Sequence, residues 1–243
     1  MTKPADAMRL DQAVARLGLT ASRSQAESYI RLGRVTVNGK TVTKPGYFTR
    51  PLDKISLDQD EQFVSRAGLK LKSVAEKLKL DFGGKVMLDV GSSTGGFTDF
   101  ALSRGAKKCI CVDVGTNQLH PKLRGDDRVE LHEQTDIRDF TPSEPVDIIV
   151  IDVSFISLRQ VLPHIAEIAT PMTQIVAMVK PQFEAGDRLK HHGVIKNDKE
   201  RREILHDFFL WTRRYFIIKA KADSAIPGAK GNRERFYLLK TSL

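Results

Sequence analysis

The sequence predicts an α/β chain: a mostly parallel sheet of about seven strands with helices between them, preceded by a small α+β module. Three observations carry this. From residue 85 onward, short apolar runs alternate with helical stretches, the signature of β-α units. The first of these runs leads directly into a Gly-rich turn and a helix. Upstream, two helical patterns and a tight hairpin are separated from the rest by a polar break.

The elements follow in order. Leu10, Ala13, Val14 and Leu17 have helical spacing, and Gly18 follows as a stop. Ser22 or Ser24 can cap a second helix toward Leu32, with Ala26 and Ile30 on one face and Gly33 at its end. VTVNGKTV reads as a hairpin in which Asn38-Gly39 supplies the two positive-φ positions between Val35–Val37 and Lys40–Val42. Lys44-Pro45-Gly46 is a further turn, and 54–57 a short closing strand. DQDEQ at 58–62 lacks apolar periodicity and is taken as a linker, giving units 1–57 and 63–243. A basic helix is expected from Phe63 to Leu80. Then come the strand KVMLDVG, the helix FTDFALSRG, the strands KCICVDVG and VDIIVIDV, a helix from about Leu158 to Ile168, and the strand QIVAMVK. Pro163 falls inside that helix and implies a kink or a late start. A Gly-rich, charged loop spans 181–197, with His191 and His192 in it. A last helix carries Trp211 as a packing residue, and YFIIKAKA and RFYLLK close the sheet.

The 243 residues are 41% apolar and 28% charged, enough for a real core and incompatible with disorder. Lys and Arg number 39 against 30 Asp and Glu, a net charge of +9 that favours an anionic partner, nucleic acid above all. The excess extends to the front unit, with 10 basic against 6 acidic residues through position 60. No apolar run approaches the roughly 18 residues of a bilayer span. MTKPADAMRLDQ has no signal-peptide core, so a cytoplasmic protein is expected. Cys109 and Cys111 lie two apart on a strand, without the partners that zinc requires. They read as buried thiols, and no metal site is expected.

The loop Gly91-Ser92-Ser93-Thr94-Gly95-Gly96-Phe97 lets backbone approach a ligand and presents a helix N-terminus to it. It is neither G-x-G-x-x-G, because position 93 is Ser, nor a P-loop, because no G-K-[ST] follows. Asp89 before the turn suits a cationic ligand end. Asp113, which ends the next strand 24 residues later, suits a ribose diol. Asp136, in QTDIRD, is placed at the third strand end, facing an adenine amino group. Taken singly, each aspartate reads more often as a cap or turn residue. Taken together, they describe a pocket for an adenosine with an amino-acid tail, S-adenosylmethionine. Val114 and Phe155 complete the expected contacts.

The next strand ends in Asp152-Val153-Ser154-Phe155, not in the [DN]-P-P-[YF] favoured by amino-methylating enzymes of nucleic acids. Lys180 ends the strand after it, before a Pro. Adjacent strand ends can bring Asp152 and Lys180 together, which makes Lys180 a candidate base.

VSRAGLKL, LDVGSSTGGFTD, VDVG, IDVSFISL, MVKPQFEAG and GNRE resemble the TlyA family. These are ribosomal-RNA 2′-O-methyltransferases with an FtsJ-like catalytic domain, often labelled haemolysin A. The likeness implies a Rossmann-like S-adenosylmethionine-dependent methyltransferase fold behind a small RNA-binding domain of ribosomal-protein type (αL motif). It places Lys70, Asp152, Lys180 and Glu234 on a Lys-Asp-Lys-Glu tetrad. It also implies methyl transfer to a cytidine of ribosomal RNA or ribosomal subunits, with no metal and no membrane. The chain departs from the family at Ala67, at Thr116-Asn117-Gln118 and at Asp136, where Asn is frequent. In the front unit Arg9, Arg16, Arg23, Arg31, Arg34, Lys40 and Lys44 are the expected phosphate contacts, joined by Arg66. By resemblance the Arg23-Ser24 helix start and Asn38-Gly39-Lys40 face RNA. The unit has few aromatics, so shape and phosphate recognition suit it better than base stacking. Two other classes compete: an RNA-binding factor that keeps the fold without the chemistry, and a membrane-lytic protein.

Overall fold

The computed structural model describes residues 7–20, 22–31, 33–58, 63–186, 194–195, 197–228 and 231–241, with Ser24 described in its backbone alone. The chain forms two compact units, Met1–Arg66 and Ala67–Leu243. Of the expected linker, residues 59–62 lie outside the described residues.

The first unit holds β1 (Met8–Arg9), α1 (Leu10–Arg16), α2 (Arg23–Arg31), β2 (Val35–Val37), β3 (Lys40–Thr41), β4 (Phe48–Thr49) and β5 (Ile55–Leu57). Leu10 and Val14 of α1 and Ala26 and Ile30 of α2 are fully buried, so the two apolar stripes make its core. Ser22 Oγ accepts from Gln25 N at 3.2 Å and caps α2. Asn38 and Gly39 have φ of 52° and 76°, the two left-handed positions of the hairpin turn. β2 pairs with β3 and β5. The β1–β4 ladder is absent from the sequence reading because two residues per strand leave no periodicity to detect.

The second unit opens with α3 (Arg66–Ala75), shorter than the expected 63–80. Lys79 at φ 52°, with Leu80 N donating to Ala75 O and Lys79 N to Glu76 O, closes its end as a Schellman motif. The sheet holds β6 (Val86–Val90), β7 (Lys108–Val112), β8 (Val129–His132), β9 (Ile148–Ile151), β10 (Gln174–Val179), β11 (Phe216–Asp223) and β12 (Arg235–Thr241). The helices are α4 (Gly96–Ser103), α5 (Pro121–Arg124), α6 (Leu158–Ile168), α7 (Pro181–Glu184) and α8 (Asp198–Thr212). α5 is an addition to the sequence reading, and β8 supplies the residues of the third strand that the placing of Asp136 implied without locating. The half-buried VELH lies at a sheet edge and carries no continuous apolar run. α6 passes through Pro163 from a Ser157 cap, so neither a late start nor a break is needed. The expected loop from 181 begins as α7, and His191 and His192 lie outside the described residues.

Strand order is β11-β12-β10-β9-β6-β7-β8; β6 to β10 run parallel, and β11 and β12 are antiparallel to their neighbours. β6 and β9 are fully buried, as expected of parallel strands covered on both faces. Leu88, Ile110, Ile149 and Ile175 pack with Leu162 and Ile165 of α6 and Phe208 of α8, and Trp211 lies partly buried against this cluster. The chain lays β6, β7 and β8 outward, then returns to place β9 on the other side of β6. That reversal opens a crevice at the C-terminal strand ends, where ligands of such sheets bind.

Candidate active site

A cavity of about 350 Å³ occupies this crevice. Of the expected cofactor residues, Gly91, Ser93, Asp113, Val114, Asp136, Asp152 and Phe155 form its wall. Gln118, Thr135, Ser154 and Ile156 also line it and were missed by sequence reasoning. Gly91 has φ 77°, and a Cβ there would lie 2.8 Å from the Asp152 carbonyl oxygen, so only Gly lets the β6 turn pass this close to β9. Ser93 stands where a dinucleotide fingerprint has Gly, yet it takes φ 48° and donates its N–H to Asp113 Oδ2 at 2.8 Å. Gly115 N donates to the other oxygen of Asp113 at 2.7 Å, which fixes the carboxylate at the end of β7.

Asp89 lies beneath the loop, outside the wall. Its Oδ2 accepts from Thr98 N and Oγ1, at 3.1 and 2.7 Å. Its Oδ1 is buried without a hydrogen-bond partner among the described residues. Burial, then the charge of Asp152, pushes the Asp89 carboxyl up to about 7, against the Thr98 hydrogen bond. Ser92 Oγ is likewise buried without a partner among the described residues. Thr94, Gly95 and Gly96 form the turn into α4 behind the wall. Phe97 packs in the core against Phe236, ring centroids 6.1 Å apart, so its place is structural and not in the cavity. Asp136 borders the cavity while capping the 3-10 turn 137–139; its oxygens accept from Arg138 N at 2.9 Å and Nη2 at 2.6 Å. Two orphaned buried oxygens, a diol-ready strand-end carboxylate and a cavity of this size fit an adenosine with a cationic tail.

Lys180 lies between β10 and α7, as the N-cap residue of the helix whose first residue is Pro181. Its Nζ lies 2.6 Å from Asp152 Oδ1 and donates to Ser154 Oγ at 2.6 Å. The Phe183 ring centroid is 5.9 Å from the same nitrogen. Lys70 Nζ pairs with Glu234 Oε2 at 2.5 Å. Lys70, Lys180 and Glu234 are 7%, 9% and 2% exposed, burial that charged side chains reach only when paired. Val179 pairs with Arg235 across the interior strands β10 and β12, so Lys180 and Glu234 follow opposite each other at the ends of these strands, and Asp152, paired with Lys180, borders the cavity. All four tetrad positions therefore converge. Each lysine has its own carboxylate, so the Lys70 charge is balanced by Glu234. Ser154 was missed, although its spacing two residues beyond Asp152 on an extended segment was the available signal.

The Phe183 ring beside Lys180 is in turn met by Phe155, which is 93% exposed at φ 65° and has its ring centroid 5.5 Å from that of Phe183. Glu184, also missed, accepts from Ser157 Oγ at 2.6 Å and Leu158 N at 2.7 Å, so α7 is tied to the start of α6. Burial raises the Glu184 carboxyl above its usual range despite these donors.

In the first unit the expected RNA contacts divide. Asp11, fully buried, holds Arg9 at 3.0 Å and Arg23 at 2.9 Å. Arg31 pairs with Glu27, and Arg34 with Asp58. Arg16, Lys40 and Lys44 are exposed and form no ion pair among the described residues. The Asn38 side chain is spent internally, donating to Asp53 at 2.8 Å and accepting from Lys54 N at 2.9 Å, so it is a turn residue rather than a free contact. The side chain of Ser24 lies outside the described residues, and Arg66 opens α3. Among the described residues no His, Cys, Asp and Glu group could hold a metal ion, and no helix is long and apolar enough to cross a membrane.

Comparison with known proteins matches residues 63–241 to the family described as FtsJ-like methyltransferase and residues 8–55 to the S4 domain. A protein of Mycobacterium tuberculosis named 16S/23S rRNA (cytidine-2′-O)-methyltransferase TlyA is 37% identical, covering 96% of this chain and 90% of its own. Hemolysin A of Brachyspira hyodysenteriae is 41% identical over 93% of this chain and 97% of its own. A solved structure from Streptococcus thermophilus, provisionally labelled a hemolysin, superimposes with a TM-score of 0.71 at 37% identity, covering 98% of this chain and 90% of that one.

Proposed function

The chain belongs to the FtsJ-like methyltransferase family, and we propose that it transfers the methyl group of S-adenosylmethionine to a ribose 2′-hydroxyl of ribosomal RNA, at a cytidine. The observation that carries the reading is the pair of buried Lys180 with Asp152 at 2.6 Å, Asp152 itself lining an adenosine-sized cavity.

When bound, S-adenosylmethionine supplies a methyl carbon made electrophilic by its sulfonium. Asp113 receives the ribose diol, Asp136 faces the adenine amino group, and the vacant Asp89 oxygen takes the ammonium of the tail. A 2′-hydroxyl is a weak acid and a poor nucleophile, so its proton must leave as the oxygen–carbon bond forms and the carbon–sulfur bond breaks. Lys180 accepts that proton, and Asp152 balances the ammonium that results. Ser154 and Asp152 fix Nζ in position. Lys70 and Glu234 orient the substrate ribose beside it. Holding the hydroxyl in line is worth up to about 7–11 kcal/mol in entropy already lost on binding. Arg16, Lys40 and Lys44 of the S4 domain grip phosphates, and the target nucleotide leaves its stack to reach the pocket.

The test is transfer of radiolabelled methyl to deproteinised ribosomal RNA, followed by alkaline hydrolysis. Label in alkali-resistant dinucleotides is expected, because a 2′-O-methyl blocks cleavage. Label on bases only would overturn the reading. The non-catalytic alternative leaves the convergence of two buried Lys-carboxylate pairs without a purpose.

A further inference from the structure

We propose that the catalytic domain carries a second RNA contact, a phosphate-binding cleft between α8 and the β11–β12 edge. This rests on the RNA reading above, and it adds a site outside both the S4 domain and the methyl-transfer cavity. The cleft is about 310 Å³ in volume, and Arg202, His206, Lys221 and Arg235 stand around a floor that includes Phe209 and Tyr237. No carboxylate lines it.

The charges are arranged for an anion. Arg202, His206 and Lys221 are exposed, and Arg202 and Lys221 form no ion pair among the described residues. Lys221 Nζ sits 5.3 Å from the Phe209 ring centroid, and Arg213 approaches the same ring at 5.8 Å. The Phe209 ring thus has two cations near it, neither of which forms an ion pair among the described residues. Arg235 is fixed differently. Its Nε and Nη2 donate to Asp223 at 2.6 and 3.0 Å, and Arg201 donates to the same carboxylate at 2.8 Å. This network spends one acid on two guanidiniums and leaves the rim basic. A guanidinium held in place loses less side-chain entropy when it meets a phosphate.

The position selects the partner. Arg235 follows Glu234 directly in the chain, and Glu234 pairs with Lys70 of the tetrad. An RNA strand whose ribose lies at Lys180 and which crosses the rim of the sheet meets the cleft next. A phosphate backbone satisfies point cations at this spacing without base-specific donors, in keeping with a site that has no exposed amide or carboxylate to read base edges.

The test is the double variant Arg202→Ala/Lys221→Ala in the full chain. Filter binding of radiolabelled, deproteinised ribosomal RNA is measured from low to high potassium chloride. Each lost phosphate contact should lower the slope of log affinity against log salt by about 0.7–0.9. The pair should therefore lose about 1.4–1.8 in slope, and about 25- to 60-fold in affinity near 0.1 M salt. S-adenosylmethionine binding should be unchanged. The conservative pair Arg202→Lys/Lys221→Arg should keep the slope, and so should the control pair Lys77→Ala/Lys107→Ala from elsewhere on the same unit. An Ala pair with the wild-type slope, in a protein that still binds and methylates RNA, overturns the cleft alone. A wild type that binds no RNA overturns the cleft together with the reading beneath it.

Discussion

Replacing Asp89 by Asn removes a charge that the fold itself resists. The carboxyl is 1% exposed, one of its oxygens has no partner among the described residues, and burial lifts it from 3.8 to about 7. A carboxyl whose native value is raised keeps its proton in the folded chain while the unfolded chain has already lost it. Stability is therefore full below about pH 4 and falls as pH rises through 7. The rise corresponds to about 4 kcal/mol lost by pH 8, and about 1–2 kcal/mol of that is already lost at pH 5. Asn keeps the acceptor for Thr98 but places an amide in the vacant position, at a cost of about 1–3 kcal/mol. At pH 8 the variant should be more stable than wild type by about 1–3 kcal/mol, and by about 2–3 kcal/mol less than that at pH 5. Urea unfolding without cofactor, run at both pH values, reads this difference. S-adenosylmethionine affinity should fall in the same variant. A stability difference that does not change between pH 5 and 8 would refute the argument, because it would mean that Asp89 is charged throughout.

Lys180→Ala should lower methyl transfer by about 10²–10⁴-fold while cofactor affinity, read by calorimetry, stays within a few-fold; full activity would remove Lys180 from the chemistry. Arg16→Ala/Lys40→Ala/Lys44→Ala should lower the salt slope of RNA binding by about 2–3, with cofactor binding unchanged, and an unaltered slope would free the S4 domain of that role. Cys109 and Cys111 are fully buried with thiols raised by burial, and Cys111 contacts Thr98 Oγ1 at 3.0 Å. Both should resist aromatic disulfide reagents in the folded chain and react on denaturation. Rapid modification of the native protein would show that β7 opens.

Much of the fold could be read because its strands are buried on both faces and its turns demand particular residues. KVMLDVG and VDIIVIDV are nearly continuous apolar runs for that reason, with Asp89 the buried exception in the first, and Asn38-Gly39 marks its hairpin by φ alone. α6 was legible in its extent through its apolar stripe, although Pro163 argued for a kink or a late start that the Ser157 cap and the continuous helix do not need. The residues of β8 and the β1–β4 ladder were not legible, since short, half-exposed strands are set by their partners. In the site, Asp89, Asp113 and Asp136 were legible only jointly, by their spacing after successive strands, and Lys70 and Glu234 only through the family resemblance. Phe97 misled: its place in the glycine loop says nothing about which way the ring turns, and packing against Phe236 decides that. Glu184 acts through a hydrogen bond across elements, which no local spacing encodes, whereas Ser154 had a signal in its spacing two residues beyond Asp152.

The partnership of Lys70 with Glu234 reaches across most of the polypeptide. During synthesis the glycine turn, Asp113 and Asp152 emerge well before the hairpin that delivers Glu234. Lys70 therefore gains its counter-ion only when the closing hairpin docks, and under the mechanism proposed above the site is completed by the last part of the chain to be made.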